Sequence, residues 1–194
     1  MADIQGSASS GTLRTIFLDR DGVLNEKMPE GRYVTAWTEF RLLPGVPRAV
    51  ASLNQAGLRV IVVSNQRGIS LGLYSSADVE SIHTRLLDEL KAHGASIDAF
   101  YFCPHDKQAC ECRKPLPGMF DQARQDFSDI EPETSLMIGD SLSDVEFGKR
   151  VGMRTVFIQG DPTLRKAGTE KAASLADATF ASLPETVDAL LLNS

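Results

Sequence analysis

Two aspartates, Asp19 and Asp21, stand either side of one arginine in the segment DRDGVLN, and Gly22 follows them. Further along come a serine in SNQRG (Ser64), a lysine in CRKP (Lys114) and two more aspartates in GDSLSD, Asp140 and Asp144. Carboxylates repel one another, so gathering several of them needs a cation. Hard oxygen donors such as Asp19 and Asp140 suit Mg²⁺. A divalent cation beside a lysine and a hydroxyl makes a site for a phosphoryl group, whose charge they neutralise. One aspartate can then attack phosphorus to form an aspartyl phosphate. A second, held off the metal, can protonate the leaving oxygen and later deprotonate water. Together these residues account for a two-step hydrolysis of a phosphate monoester.

Each feature has a plainer reading when taken alone. A lone DxD is a weak signal, because surface aspartate pairs are common and some glycosyltransferases use DxD for metal and nucleotide. Asp140 could simply cap the helix that follows it, and Ser64 could be an ordinary loop serine. What strengthens the catalytic reading is joint placement: DxD, serine, lysine and GDxxxD follow in that order, and three of the four stand at strand ends. A second cluster lies beside Lys114. All three cysteines, Cys103, Cys110 and Cys112, fall within ten positions, with His105 among them, and Arg113 follows at once. An odd number of thiols argues against a disulfide framework.

The elements that must position these groups are legible in outline. TIFLD, LRVIVVSNQ (ending at Ser64), DAFYF, TSLMIGD, MRTVFIQG and ATFAS read as strands. PGVPRAVASLNQAG reads as a helix, with Val46, Ala49, Val50 and Leu53 at helical spacing and Gly57 as its stop. SADVESIHTRLLDELKAHG reads as a second helix, capped by Ser76, with Val79, Ile82, Leu86 and Leu90 on one face. His83 is expected near its polar side and His93 in its last turn, neither with a function. GMFDQARQDF, SDVEFGKRVG and PETVDALLL read as further helices, the last with Pro184 near its first position. Strands alternating with helices predict an α/β fold, a mostly parallel sheet with helices on both faces. In such folds the chemistry sits outside the carboxyl ends of the strands. No GxxxxGK[ST] loop is present, which excludes a P-loop nucleotide enzyme.

At 194 residues the chain suits one domain, expected over 13–194, behind a disordered Ser/Gly-rich tail over 1–12. No apolar run is long enough to span a membrane. The amino-terminal segment lacks the apolar stretch of a secretory signal, so a cytoplasmic location is expected. A formal net charge of -6 argues against a nucleic-acid partner. A monomer acting on a small molecule is expected.

DRDGVLN, VVSNQ, CRKP and IGDSLSD resemble the signature blocks of the haloacid dehalogenase superfamily of phosphatases. The resemblance runs from about Leu13 to the terminal helix. It implies a Rossmann-like fold in which Asp19 is the nucleophile, Asp21 the general acid/base, Ser64 a phosphoryl ligand and Lys114 its steadying cation. It also implies that Asp19, the backbone carbonyl of Asp21 and Asp140 hold Mg²⁺, with Asp144 orienting the metal's water. Neither stretch where this superfamily inserts a cap is long enough for one, so a capless enzyme is expected. The segment CPH…CECRKPLPGM resembles the zinc-binding loop of heptose 1,7-bisphosphate 7-phosphatases and related histidinol-phosphatases. It implies Zn²⁺ on Cys103, His105, Cys110 and Cys112, a closed structural site. The metal would fix a loop with no core of its own and hold Arg113 and Lys114 in place.

RKPLPGM is closer to the heptose enzymes, which implies removal of the 7-phosphate from D-glycero-D-manno-heptose 1,7-bisphosphate. Histidinol phosphate is the alternative, and a 3'-phosphorylated polynucleotide a more distant one that the acidic balance disfavours. A non-enzymatic phospho-acceptor switch is disfavoured by Asp21, since an acid/base group speeds loss of the phosphoryl group. Candidate substrate contacts are Asn25, Asn65, Gln66, Arg67 and Arg113. Lys27, Arg32 and Arg67 are candidates for a second phosphate, with solvated surface charge as the plain alternative. Arg32 and Tyr33 could meet the distal part of a sugar, and Trp37 and Phe40 are expected to pack beneath the flap.

Overall fold

The computed structural model describes residues 12–164 and 167–192; residues 1–11 of the expected tail lie outside these. Six strands form one sheet: β1 (Thr15–Leu18), β2 (Arg59–Asn65), β3 (Ala99–Cys103), β4 (Ser135–Gly139), β5 (Arg154–Ile158) and β6 (Ala178–Phe180). Their order is β3-β2-β1-β4-β5-β6, and every pairing is parallel. In β1, Ile16 and Leu18 point into one core and Phe17 into the other, all with no exposure. Burial on both faces is why these strands read as unbroken apolar runs rather than alternating ones. Each such side chain contributes roughly 1.5–3 kcal/mol, enough to anchor a strand this short at the centre of the sheet.

Helices cover both faces. On one, α1 (Val46–Gln55), α2 (Ser76–Lys91) and α6 (Leu183–Leu192) bring Val50, Leu53, Leu86, Leu90 and Val187 against Ile16, Leu18 and Val62. On the other, α3 (Gly118–Asp126) and α4 (Leu142–Val151) bring Met119, Phe120 and Phe147 against Phe17, Ile61 and Met137. The sequence does not announce α5 (Thr169–Leu175), in which Ala172 is the buried residue; it packs against Val145 and Phe157.

Two local expectations change. Ser75, not Ser76, caps α2: its hydroxyl accepts the Asp78 N–H at 3.2 Å and Asp78 takes the Ser75 N–H at 2.8 Å. The box needs the acidic residue three positions on, and only Ser75 has it. His83 is not on the polar side. It is 5% exposed and its ring stacks on Phe100 at 4.2 Å. Burial, followed by the Arg20 cation, pushes this imidazole down to about 3, so it is a neutral core residue.

Between β1 and α1 the chain makes a flap whose regular structure is a single 3-10 turn, Trp37–Glu39. Trp37 and Phe40 stack beneath it at 5.0 Å, as expected. Between β2 and Lys114 lie α2, β3 and a loop, so neither stretch carries a cap. None of the described helices is long and apolar enough to cross a membrane.

Candidate active site

β1 lies between β2 and β4, and the chain reverses its direction of travel across the sheet there. That switch point is where a crevice opens at the carboxyl ends of parallel strands. Asp19 follows β1 directly, Ser64 is in the last turn of pleat of β2, and Asp140 follows β4. The turn after Asp19 leans on Asp140. Gly22 has φ +96°, and a Cβ there would lie 2.0 Å from Asp140 Oδ2. Only glycine both adopts that backbone and leaves the room. Lys27, from the flap, pairs with Asp140 Oδ2, and both side chains are nearly buried.

Lys114 enters from the loop after β3 and is 3% exposed. Its ammonium donates to Asp19 Oδ1 at 2.8 Å and Val63 O at 2.6 Å, and pairs with Asp144 Oδ1 at 2.6 Å. Two hydrogen bonds and an ion pair hold the ammonium, which fixes the cation in space. Asn65 pins its backbone, taking the Lys114 N–H at 3.0 Å and donating to Lys114 O at 3.1 Å. Asp144 divides its oxygens: Oδ2 accepts from Ser141 N–H at 3.0 Å and Ser141 Oγ at 2.6 Å, closing the first turn of α4, while Oδ1 holds Lys114. Gly139 makes this possible, since a Cβ there would lie 2.2 Å from that of Asp144.

The electrostatics show what the cluster lacks. Burial alone would push Lys114 down, but Asp144 and Asp19 outweigh it and push it up, so it stays charged. Asp19 is pushed towards its neutral form instead. Burial and then the Asp144 carboxylate push it up to about 7, against the pull of Lys114. Oxygens of Asp19, Asp140 and Asp144 lie within 4.8 Å of one another. Asp144 gives one oxygen to Ser141 and the other to Lys114; Asp19 and Asp140, which each pair with one lysine, form a hard-oxygen pair that suits Mg²⁺.

Asp21 sits among donors. Arg20, 1% exposed, reaches its two oxygens at 3.1 and 3.0 Å. Asn25 Nδ2 donates to Oδ1 at 2.9 Å and Gln66 Nε2 to Oδ2 at 3.1 Å. Burial would raise this carboxyl, yet Arg20 and these hydrogen bonds hold it below the ordinary range. Gln66 Nε2 also lies 2.6 Å from Ser64 Oγ, and Tyr74 Oη donates to Gln66 Oε1 at 2.8 Å, which orients the amide. Of the candidate substrate contacts, Asn65 and Gln66 line the cavity beside Asp19 and Lys114, while Asn25, Asn65 and Gln66 also bond to Asp21, Lys114 and Ser64 respectively. Asn65 and Gln66 meet partners that local spacing does not reveal, Asn65 across 49 positions to Lys114 and Gln66 across 45 to Asp21.

The thiols converge as expected. Cys103 and Cys110 Sγ are 3.4 Å apart, Cys110 and Cys112 3.3 Å, and His105 Nδ1 is 3.3 Å from Cys112 and 3.7 Å from Cys103. A tetrahedron with Zn–S bonds of about 2.3 Å has edges of about 3.8 Å, so this donor set fits Zn²⁺ after a small expansion. The loop delivers more than Lys114. Arg113 donates to His105 O at 3.4 Å, and Arg67 pairs with Asp106. Arg32, Tyr33, Arg67, Lys107 and Arg113 line the outer part of a cavity of about 560 Å³ whose inner wall carries Asp19, Asp21, Ser64 and Lys114.

Residues 111–186 match the HAD-hydrolase-like family model. The chain is also 40% identical over 171 residues to the D-glycero-alpha-D-manno-heptose-1,7-bisphosphate 7-phosphatase of Mycobacterium tuberculosis, covering 88% of this chain and 87% of that protein. The chain belongs to the HAD-like phosphatases. Another member of similar sequence is the D-glycero-beta-D-manno-heptose-1,7-bisphosphate 7-phosphatase of Escherichia coli, 34% identical across 89% of this chain and 93% of that protein. Among solved structures, the D,D-heptose 1,7-bisphosphate phosphatase of Bordetella bronchiseptica, complexed with magnesium and phosphate, superposes with a TM-score of 0.82. It is 29% identical and covers 94% of this chain and all of that one. In this HAD-like phosphatase, sequence reasoning missed Arg20, Tyr74 and Asp106. Arg20 had a signal, since it stands inside DRD, but its burial depends on the whole sheet.

Proposed function

We propose that this phosphatase removes the 7-phosphate of D-glycero-D-manno-heptose 1,7-bisphosphate through an aspartyl phosphate on Asp19. The observation that carries this reading is a cavity with two cationic regions: Lys114 at the inner carboxylate cluster, and Arg32, Arg67, Lys107 and Arg113 at the mouth. One phosphate fits each. The names of the relatives support the same choice.

Asp19 and Asp140, with the Asp21 carbonyl, would hold Mg²⁺, which supplies positive charge to the phosphoryl oxygens. Asp19 attacks phosphorus as the ester P–O bond breaks. Lys114, already fixed, offsets the charge that develops, and Ser64 Oγ donates to the transferred group. Asp21 gives its proton to the leaving sugar oxygen. In the free protein Asp21 is held as a carboxylate, so it gains that proton as a dianionic phosphoryl group arrives beside it and pushes its pKa up. Asp21 then takes a proton from water, whose oxygen attacks the aspartyl phosphate, releasing inorganic phosphate and restoring Asp19. Assay of phosphate release from both heptose bisphosphate anomers, histidinol phosphate and a 3'-phosphorylated oligonucleotide, with and without Mg²⁺, tests the reading. The heptose ester should give the highest kcat/KM, and only with Mg²⁺. Equal or faster turnover of histidinol phosphate would overturn it.

Cys103, His105, Cys110 and Cys112 would hold one Zn²⁺ per chain. Most of the sheet core is built from residues outside this loop, so Cys112→Ser should keep its far-ultraviolet dichroism, bind little zinc and lose most of its activity as Lys114 loses its anchor. Elemental analysis and kinetics decide. A zinc-free wild type, or a fully active zinc-free variant, would assign the thiols another purpose.

A further inference from the structure

Arg67 is the residue after the SNQ segment, and its guanidinium is tied to the Cys/His loop. Its Nε lies 2.5 Å from Asp106 Oδ1 and its Nη2 3.2 Å from Asp106 Oδ2. This is a two-point, side-on pair, and Asp106 follows His105 directly. Such a pair uses two of the five guanidinium N–H groups and leaves the far edge for another ligand. Asp106 Oδ1 also accepts from the Lys107 N–H at 2.6 Å, and the Tyr33 hydroxyl from the flap and the Arg113 cation bear on the pair electrostatically. Tyr33 in turn packs against Tyr74 at 6.1 Å. Arg67 therefore ties the β2 end to the Cys/His loop, in a cavity that the flap residue Tyr33 also lines.

An exposed arginine with a carboxylate partner has two opposite physical consequences. The carboxylate partly cancels the cation, which weakens attraction to an anion. It also removes rotamer freedom from a long side chain, which favours binding in one geometry. Arg67 and Asp106 are each a third or more exposed, so water screens the cancellation strongly. The geometric effect is not screened.

We propose that Asp106 is a positioning residue that aims Arg67 at the second phosphate of the substrate, so that the Cys/His loop sets substrate choice as well as carrying Lys114. This rests on the bisphosphate reading above. Arg67 is the residue that touches the ligand; Asp106 acts through it.

Two esters with the same scissile phosphate test it: heptose 1,7-bisphosphate and heptose 7-phosphate. The quantity read is the ratio of their kcat/KM values, which reports the second phosphate alone. In the wild type the bisphosphate should be preferred. Arg67→Ala should lower that ratio by about tenfold or more, the usual weight of a hydrogen bond to a charged group. Arg67→Lys should recover only part of it, since an ammonium keeps the charge and loses the fork. Asp106→Asn should also lower the ratio, through KM rather than kcat, although it removes a negative charge from beside an anion site. Asp106→Asn should have no further effect in the Arg67→Ala background, because the two act as one unit. Thermal unfolding confirms that each variant is folded.

The outcomes separate the two claims. A wild type indifferent to the second phosphate overturns the bisphosphate reading and this inference with it. A wild type that prefers the bisphosphate, with Asp106→Asn unchanged or improved in that preference, overturns the inference and leaves the reading standing. Additive losses for the two substitutions would likewise show that Asp106 does not act through Arg67.

Discussion

An Asp19→Asn variant folds but releases phosphate slower by roughly 10⁴-fold or more, the scale on which a lost nucleophile is felt. An amide is a poor nucleophile towards phosphorus, and the substitution would also remove one of the two carboxylates proposed to hold Mg²⁺. The fold should survive. Asp19 is the group that burial and neighbouring carboxylates push up to about 7, so its charge is a liability while no divalent cation is bound. Its amide oxygen can still accept from Lys114, which keeps Asp144 as its remaining anionic partner. Metal-free Asp19→Asn should therefore melt at or above the temperature of the metal-free wild type near pH 8. Mg²⁺ should raise the Tm of the wild type more than that of the variant. Substantial phosphate release by the folded variant would sink the covalent route. A much lower Tm would mean that Asp19 is needed for the architecture itself.

What could be read from sequence follows from how the information is distributed. β1, β2 and β4 are apolar on both faces, so their runs stand out, and the groups that end them sit in contiguous motifs. Asp19, Ser64, Lys114 and Asp140 could thus be assembled from local patterns and the rule that parallel strands present their carboxyl ends together. The Cys103–Cys112 cluster is local as well. The rest depends on pairings that sequence does not encode nearby. Lys27 meets Asp140 across 113 positions and Arg67 meets Asp106 across 39. Asn25, Asn65 and Gln66 are short polar side chains whose types suit either a ligand or a neighbour. Their direction is decided by which buried acceptor is within reach. His83 sits at a helical position beside Ile82, and only the placement of Phe100 shows that its ring is covered. The helix α5 has one buried residue, so it carries no periodicity to detect.

Replacing Lys114 with methionine should cost both activity and stability. Methionine keeps most of the volume and removes the cation, leaving the Asp19 and Asp144 carboxylates facing each other under burial. Lys114 and Asp144 side chains are each 1% exposed, and removing one partner of a buried ion pair costs about 3–5 kcal/mol. Turnover should fall by about 10²–10³-fold, as when one preorganised donor to the transition-state charge is lost. The pH dependence provides a sharper signature. Lys114 is the group that pulls Asp19 down, so without it the folded-state pKa moves further above the ordinary carboxylate value. A carboxyl raised on folding binds more protons folded than unfolded between the two pKa values. Its stabilisation is complete below the unfolded pKa, about 4, and is lost as pH rises through the folded one. Metal-free Lys114→Met should therefore lose Tm from about pH 4 to beyond the wild-type Asp19 value, over a wider pH range than the wild type. Added Mg²⁺ should return part of that loss near pH 8 by taking over as counter-charge. Thermal melts of both proteins across this range, with and without Mg²⁺, make the comparison. A variant as stable as the wild type at pH 8, losing Tm over the same pH range, would show that the two carboxylates do not depend on this lysine.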